Sequence, residues 1–255
     1  MRGIVFSICL LLALAGGGVR AAPPVVELAT GDWPPYVSRV MTADGAFADM
    51  TRQVFRRAGY QVHFNYLSWP MAEEMVRSGK ALAALPYRPT PERAREFDFS
   101  DPIMRTGSYF FYYKPKLKHP PLGYQSLDEL RGYRIGVQRG FWYLPLFQQH
   151  QLNTLYTDDE VSVLKLLRLG LLDLAPLSRE RAQFLAHAVM PEQENQFGYL
   201  PASLDDTPLA LMFSRRYPEA GRLKQDFARA LAAMREDGSL QAIYQRNFPE
   251  LTPQR

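Results

Sequence analysis

The chain has 255 residues, with 30 basic and 26 acidic side chains, four histidines and one cysteine. A formal charge of +4 with no long basic block gives nucleic acid no footprint, so it is not expected as a partner. A single cysteine excludes an intramolecular disulfide.

Arg2 precedes an apolar run from Ile4 to Ala15, three glycines and Val19-Arg20-Ala21, the pattern of a signal peptide cut after Ala21. The run is shorter than the roughly 20 residues a spanning helix needs. Cys9 lies inside it behind Ile8, which does not suit a lipoprotein cleavage site. Loss of Arg2 and Arg20 would leave 28 basic against 26 acidic side chains, and 255 less 21 leaves 234 residues for one large core or two smaller ones.

Val25 to Thr30 is a short apolar strand, broken by the stiff aromatic turn Gly31-Asp32-Trp33-Pro34-Pro35-Tyr36. Trp33 and Tyr36 are expected to stack on a ligand, the alternative being that they pack beneath their own loop. Phe47, Met50, Val54, Phe55 and Ala58 recur at helical spacing, predicting a helix from about Ala48 to Ala58 that Gly59 ends. Tyr60 to Tyr66 alternates as a strand, Trp69 opens a helix reaching Ser78-Gly79-Lys80, and Ala81 to Leu85 is a buried strand. That alternation is the βαβ pattern of a parallel sheet.

Thr90-Pro91 then pairs an N-cap residue with a first-position proline, so a short helix carries Arg93 in its first turn beside free backbone N–H groups. A guanidinium there suits a planar carboxylate or phosphate, the bland alternative being an i,i+3 pair with Glu96. Phe97-Asp98-Phe99 is a short strand ended by Asp101-Pro102, and Gly107 to Tyr113 is an aromatic strand.

Lys114 to Pro121 is rich in proline and lysine and is read as a linker. Ser126-Leu127-Asp128-Glu129 has capping-box spacing, Tyr133 to Gln138 is a strand, and Gly140-Phe141-Trp142 enters a helix. Thr157-Asp158-Asp159-Glu160 is an acidic helix start that lacks the further oxygen ligands of a calcium loop, so no metal is expected. A strand within Gly170 to Leu177, a helix from Ser178 to His187, a crossing at Pro201 to Pro208, a strand at Leu209 to Ser214 and helices at Pro218 to Met234 and Ser239 to Asn247 complete the chain.

The run Thr90-Pro91-Glu92-Arg93 with Phe99-Ser100-Asp101-Pro102 resembles the signature of the family 3 periplasmic solute-binding proteins, the polar amino-acid-binding components of ABC importers. Trp33-Pro34-Pro35-Tyr36, Trp69 to Ser78-Gly79-Lys80, Leu127-Asp128-Glu129-Leu130-Arg131-Gly132 with Ile135-Gly136-Val137-Gln138, and Asp237-Gly238-Ser239 with Ile243-Tyr244 extend the resemblance from Val25 to Phe248. It implies a two-lobed α/β type II periplasmic binding fold, each lobe a mainly parallel sheet flanked by helices and joined by two crossover strands. The lobes would be residues 22–113 with 209–255, and 114–208. It also implies a periplasmic location, a monomer, no cofactor, a small anionic solute as ligand and a membrane ABC permease or membrane sensor as partner. Arg93 would hold the ligand carboxylate and Trp33 would cover the ligand.

Three departures fall where the family recognises an α-amino acid: Pro86-Tyr87-Arg88 replaces small hydroxyl residues, Phe141 replaces a threonine, and Ser178 stands where an aspartate takes the ligand ammonium. An ammonium without an acceptor is costly when desolvated, so carboxylates lacking the amine are expected to bind better than glutamine, histidine or arginine. The expected ligand walls are Trp33, Tyr36, Trp69, Tyr87, Arg88, Phe141 and Trp142, with Arg93 and Ser178 as polar contacts; a solvent-facing Arg88 is the alternative. Two other functions stay open: an enzyme resembling periplasmic cyclohexadienyl dehydratase, for which Glu180 is the one candidate acid and is otherwise a solvated helix residue, and a sensor without a transport role. Scattered histidines and the lack of Gly-x-Ser-x-Gly, Walker and His-Glu-x-x-His motifs give other chemistry no support, and a non-enzyme is expected.

Overall fold

The computed structural model describes residues 22–117, 123–139, 141 and 143–249. The expected export signal, Trp142 and the Lys118 to Pro121 part of the linker lie outside them.

The first half follows the expected alternation: β1 Val25–Thr30, α1 Ala46–Arg57, β2 Gln61–Tyr66, α2 Trp69–Arg77, β3 Ala83–Tyr87, α3 Pro91–Ala94, β4 Asp98–Phe99, β5 Met104–Thr106 and β6 Ser108–Tyr113. Next come β7 Ile135–Gln138, α4 Leu144–Gln149, β8 Thr154–Thr157, α5 Glu160–Leu169, β9 Ala175–Ser178, α6 Arg179–Val189, β10 Phe197–Ser203, β11 Thr207–Phe213, α7 Ala220–Glu236 and α8 Ser239–Asn247.

Local chemistry sets several of these boundaries. Thr90 caps α3 by accepting from the Arg93 N–H, and Ser126 with Glu129 forms the expected capping box. Helix α1 begins at Ala46, two residues before the apolar stripe suggests, because Gly45 at φ 90° supplies the turn into it. Helix α4 begins only at Leu144, so Phe141 precedes it.

The first sheet runs β2-β1-β3-β11-β4, with β5 also paired to β11. Strands β2, β1 and β3 are parallel, whereas β11 is antiparallel to β3, β4 and β5. In the second lobe β7 and β8 are parallel, while β6 pairs antiparallel with both β9 and β10. The expected parallel pairing thus belongs to the strands joined by crossover helices. The strands that travel between lobes run against their neighbours because they enter and leave each sheet in opposite directions.

Hydrogen bonding also moves the lobe boundary. A division after Tyr113 assigns β6 to the first lobe, yet β6 pairs with β9 and β10, and the change of sheet falls at Gly107, between β5 and β6. On the return it falls at Leu204 to Asp206, before β11. Ser108 N–H donates to Asp205 Oδ1 at 2.8 Å and Leu204 N–H to the Ser108 carbonyl at 2.7 Å, binding the two crossing segments together. A Cβ at Gly107 would lie 2.7 Å from the Asp205 carbonyl oxygen, so only glycine permits this approach.

The buried side chains form separate cores. Leu28, Phe47, Phe55, Leu211, Phe213, Phe227 and Ile243 pack in the first lobe, so α7 and α8 complete the lobe that α1 began. In the second lobe Phe110 faces one core with Ile135, Val137 and Phe147, and Phe111 faces the other with Leu164, Leu167 and Leu185, as strand alternation dictates.

Candidate functional site

A cavity of about 560 Å³ opens on the first lobe, at the carboxyl ends of β1 and β3. Its apolar walls are Trp33, Trp69, Pro70, Pro86 and Tyr87, and its charged groups are Glu73, Arg77, Arg88 and Arg93.

The turn after β1 places Trp33 by a short bridge in which Trp33 and Val37 exchange backbone hydrogen bonds of 2.8 and 3.1 Å. Trp69 opens α2 and lies over Gly31, where a Cβ would stand 2.3 Å from the indole ring. The Tyr87 hydroxyl donates to the Trp69 carbonyl at 3.1 Å, and the two rings meet edge to face at 5.7 Å. This fixes Tyr87 as a buried platform on which the Arg93 guanidinium sits 4.9 Å from the ring centroid. Arg93 also donates to the Arg88 carbonyl at 3.3 Å, and its Nε is 3.7 Å from Glu73 Oε2. Burial, then the charge of Glu73, pushes the Tyr87 phenol up to about 12 against the opposing charge of Arg93. Tyr87 is therefore a neutral hydrogen-bond donor at physiological pH.

Five of the nine candidate residues line this cavity: Trp33, Trp69, Tyr87, Arg88 and Arg93. Tyr36 is fully buried and Ser178 caps α6, so neither lines it. Phe141 is partly exposed and packs on Tyr143 with ring centroids 5.4 Å apart, away from the cavity.

Tyr36 and Ser178 instead belong to a second constellation, between the lobes. Their hydroxyls share a hydrogen bond of 2.8 Å, and Tyr36 donates to Glu180 Oε2 at 3.1 Å. Thr106 donates to the same oxygen at 3.1 Å, and Tyr244 donates to Glu180 Oε1 at 3.0 Å. Nearby, Arg181 donates to the Pro34 carbonyl at 2.5 Å and pairs with Glu160 at 2.5 Å. Glu180 is only 4% exposed, which overturns its reading as a solvated helix residue. Burial, and then the Glu180 charge, raises both the Tyr36 and Tyr244 phenols well above the ordinary tyrosine range, so both remain donors.

Glu73 and Tyr244 escaped the sequence reading. Glu73 was within reach of it, since it stands four residues after Trp69 and shares a helix face with it. Among the described residues no group of three or more His, Cys, Asp or Glu side chains is placed to hold a metal. No helix there is long and apolar enough to cross a membrane.

Two α/β lobes joined by crossing strands, with a cavity at the carboxyl ends of the first-lobe strands, define the type II periplasmic binding fold. The chain belongs to the bacterial extracellular solute-binding proteins, family 3, whose family model matches residues 27–250. Among solved structures it is similar to the GluR0 ligand-binding core from Nostoc punctiforme in complex with L-glutamate, at 20% identity and TM-score 0.65 over 88% of this chain and 99% of that one. It is similar to a histidine kinase sensor domain with similarity to periplasmic binding proteins, at 20% identity and TM-score 0.66 over 92% and 100%. It is also similar to the ancestral amino acid-binding protein AncCDT-1, a precursor of cyclohexadienyl dehydratase, at 19% identity and TM-score 0.62 over 88% and 95%. No curated protein sequence matches the chain.

Proposed function

We propose that this protein is an exported, non-catalytic binding protein that captures a small carboxylate-bearing solute and presents it to a membrane partner, an ABC permease in the first instance. The observation that carries the reading is Arg93, stacked on Tyr87 at the wall of an aromatic cavity, its charge countered there by Glu73 at 3.7 Å, beyond hydrogen-bond length. A planar carboxylate offers that guanidinium two short bonds, while Trp33 and Trp69 supply apolar surface for the rest of the ligand. Closure of the second lobe over the first would be a population shift whose extent follows the contacts the ligand makes with both lobes.

The sensor neighbour supports a second reading with the same ligand chemistry and a kinase-linked partner in place of a permease. The dehydratase-precursor neighbour raises catalysis, and against it stands Glu180: its oxygens are occupied by protein hydroxyls and it does not line the aromatic cavity. A general acid has to reach the substrate.

The experiment is a thermal-shift and calorimetric screen of the purified mature protein against amino acids, dicarboxylates and aromatic acids, with dehydration of a cyclohexadienyl carboxylate followed in parallel. A ligand present at 100 times its dissociation constant raises stability by about 2.7 kcal/mol. Stabilisation by carboxylates without turnover is the expected result; turnover, or indifference to every carboxylate, contradicts the proposal.

A further inference from the structure

The second lobe carries a cavity of its own, of about 440 Å³, between α6 and the edge strand β10. Sites for small molecules usually span about 300–1,000 Å³, and this one falls within that range. Phe111, Leu164, Ala186 and Phe197 give it an apolar floor, and Lys114, Arg179 and Glu194 are its charged groups. Arg179 is half-buried, and its guanidinium lies over the rings of Tyr109 and Tyr199, 5.1 and 5.9 Å from their centroids. Stacking covers the face of a guanidinium and leaves the N–H groups along its edge for an acceptor. Among the described residues no carboxylate forms an ion pair with Arg179 or Lys114. Glu194 is turned to His187 at 2.8 Å, and the oxygens of adjacent Glu180 accept from Tyr36, Thr106 and Tyr244. Lys114 donates to the Asn195 carbonyl at 2.9 Å and keeps further N–H groups. Arg179 is also the first residue of α6, where the helix dipole opposes a cation and favours an anion beside it.

We propose that this cavity is a second binding site, for an aromatic organic anion: the ring system lies on the floor at Phe111 and Phe197, and the carboxylate or sulfonate is received by Arg179 and Lys114. None of the residues that line it lines the first-lobe cavity, so the site stands whether or not the carboxylate reading given above holds. Two features set the ligand class. Two cations face one acid that is already paired, which selects a negative charge. The apolar floor selects a ring, because a bare inorganic ion leaves that surface in water whereas an aromatic body buries it. An uncharged ring meets only the second condition and leaves the guanidinium edge without an acceptor.

The test is a fluorescence titration of the purified mature protein with the aromatic anion anilinonaphthalenesulfonate, beside its uncharged parent N-phenylnaphthylamine and with naphthoate as competitor. The wild type is expected to bind the anion about tenfold or more tighter than the uncharged parent, and naphthoate should displace it. Arg179→Gln should weaken the anion about tenfold or more and Lys114→Gln about threefold, with the uncharged parent within about twofold of wild type in both. Arg179→Lys, which keeps the charge but not the flat stack, should fall between Arg179→Gln and wild type. Lys114 is exposed, so its variant decides the matter should Arg179→Gln fold poorly. Arg93→Ala should leave the anion within about twofold of wild type. The proposal is overturned if the wild type does not bind the anion or does not prefer it to the uncharged parent, or if Arg179→Gln and Lys114→Gln both keep wild-type affinity. Equal weakening of the two probes would mark a collapsed cavity, and loss of the anion in Arg93→Ala would place it in the first lobe; either result also overturns it.

Discussion

The Tyr36 hydroxyl lies 2.8 Å from Ser178 Oγ, and this contact ties the turn after the first strand to the helix that opens the second-lobe wall. Around it Glu180 gathers three hydroxyl donors, two from the first lobe's core loop and closing helix and one from the crossing segment. The lobes are therefore joined by a buried polar cluster as well as by the chain.

Tyr36→Phe removes one donor from Glu180 and one partner from Ser178 while preserving the buried ring. A loss of about 1–2 kcal/mol in denaturant unfolding is expected, with a larger radius of gyration in small-angle scattering as the lobes part. Unchanged scattering and stability would show that the cluster contributes nothing to holding the lobes together.

Glu180→Leu should be more harmful, because it takes an acceptor from the hydroxyls of Tyr36 and Thr106 and leaves that of Tyr244 without one. About 3 kcal/mol is expected from the unmade hydrogen bonds, with Glu180→Gln clearly milder since an amide oxygen still accepts. Equal stability of the two variants would contradict the geometry.

Asp173 sits in the turn before β9, where Arg134 donates to both its oxygens at 2.6 and 2.9 Å and the Arg134 backbone N–H adds 2.8 Å. These bonds to Arg134 hold the carboxyl below its usual range despite partial burial. A depressed carboxylate contributes stability above its unfolded pKa of about 4 and loses it as pH falls through the lower folded value. Asp173→Asn should cost about 1 kcal/mol at pH 7 after allowance for solvent screening, and the difference from wild type should shrink below about pH 4. A difference that grows on acidification would have the wrong sign.

How much of this was legible in the sequence varied with the range of the interaction. The Thr90 cap, the Ser126 capping box and the spacing from Trp69 to Gly79 depend on neighbours within a turn, and they appear where residue chemistry places them. Strand β8 was not legible: its four residues include exposed Leu155 and Tyr156, so no buried alternation marks it, and it exists through pairing with β7. The sheet membership of β6 likewise depends on partners far along the chain. Glu180 reads as a surface glutamate because its burial comes from the first lobe, a contact that no local pattern encodes. Tyr36 follows the alternative of packing under its loop, whereas Trp33, three residues away, lines the cavity.

Gly31→Ala probes the cavity wall without touching a charged group. The added methyl would displace the Trp69 indole, which packs against two buried clusters, so affinity for the bound carboxylate should fall at least tenfold and the overpacking should cost about 1–3 kcal/mol in unfolding. Wild-type affinity would mean that Trp69 does not contact the ligand.

The most direct measurement is the binding of the tightest carboxylate found in the screen to Arg93→Ala and Arg93→Lys, by calorimetry, beside their unfolding midpoints. Loss of a charge-assisted, two-pronged contact in a partly enclosed site is worth about 2–3 kcal/mol, so alanine should weaken binding by roughly a hundredfold and lysine should restore only part of it. Both variants should unfold within about 0.5 kcal/mol of wild type. Wild-type affinity in Arg93→Ala, in a protein that remains folded, would contradict the account.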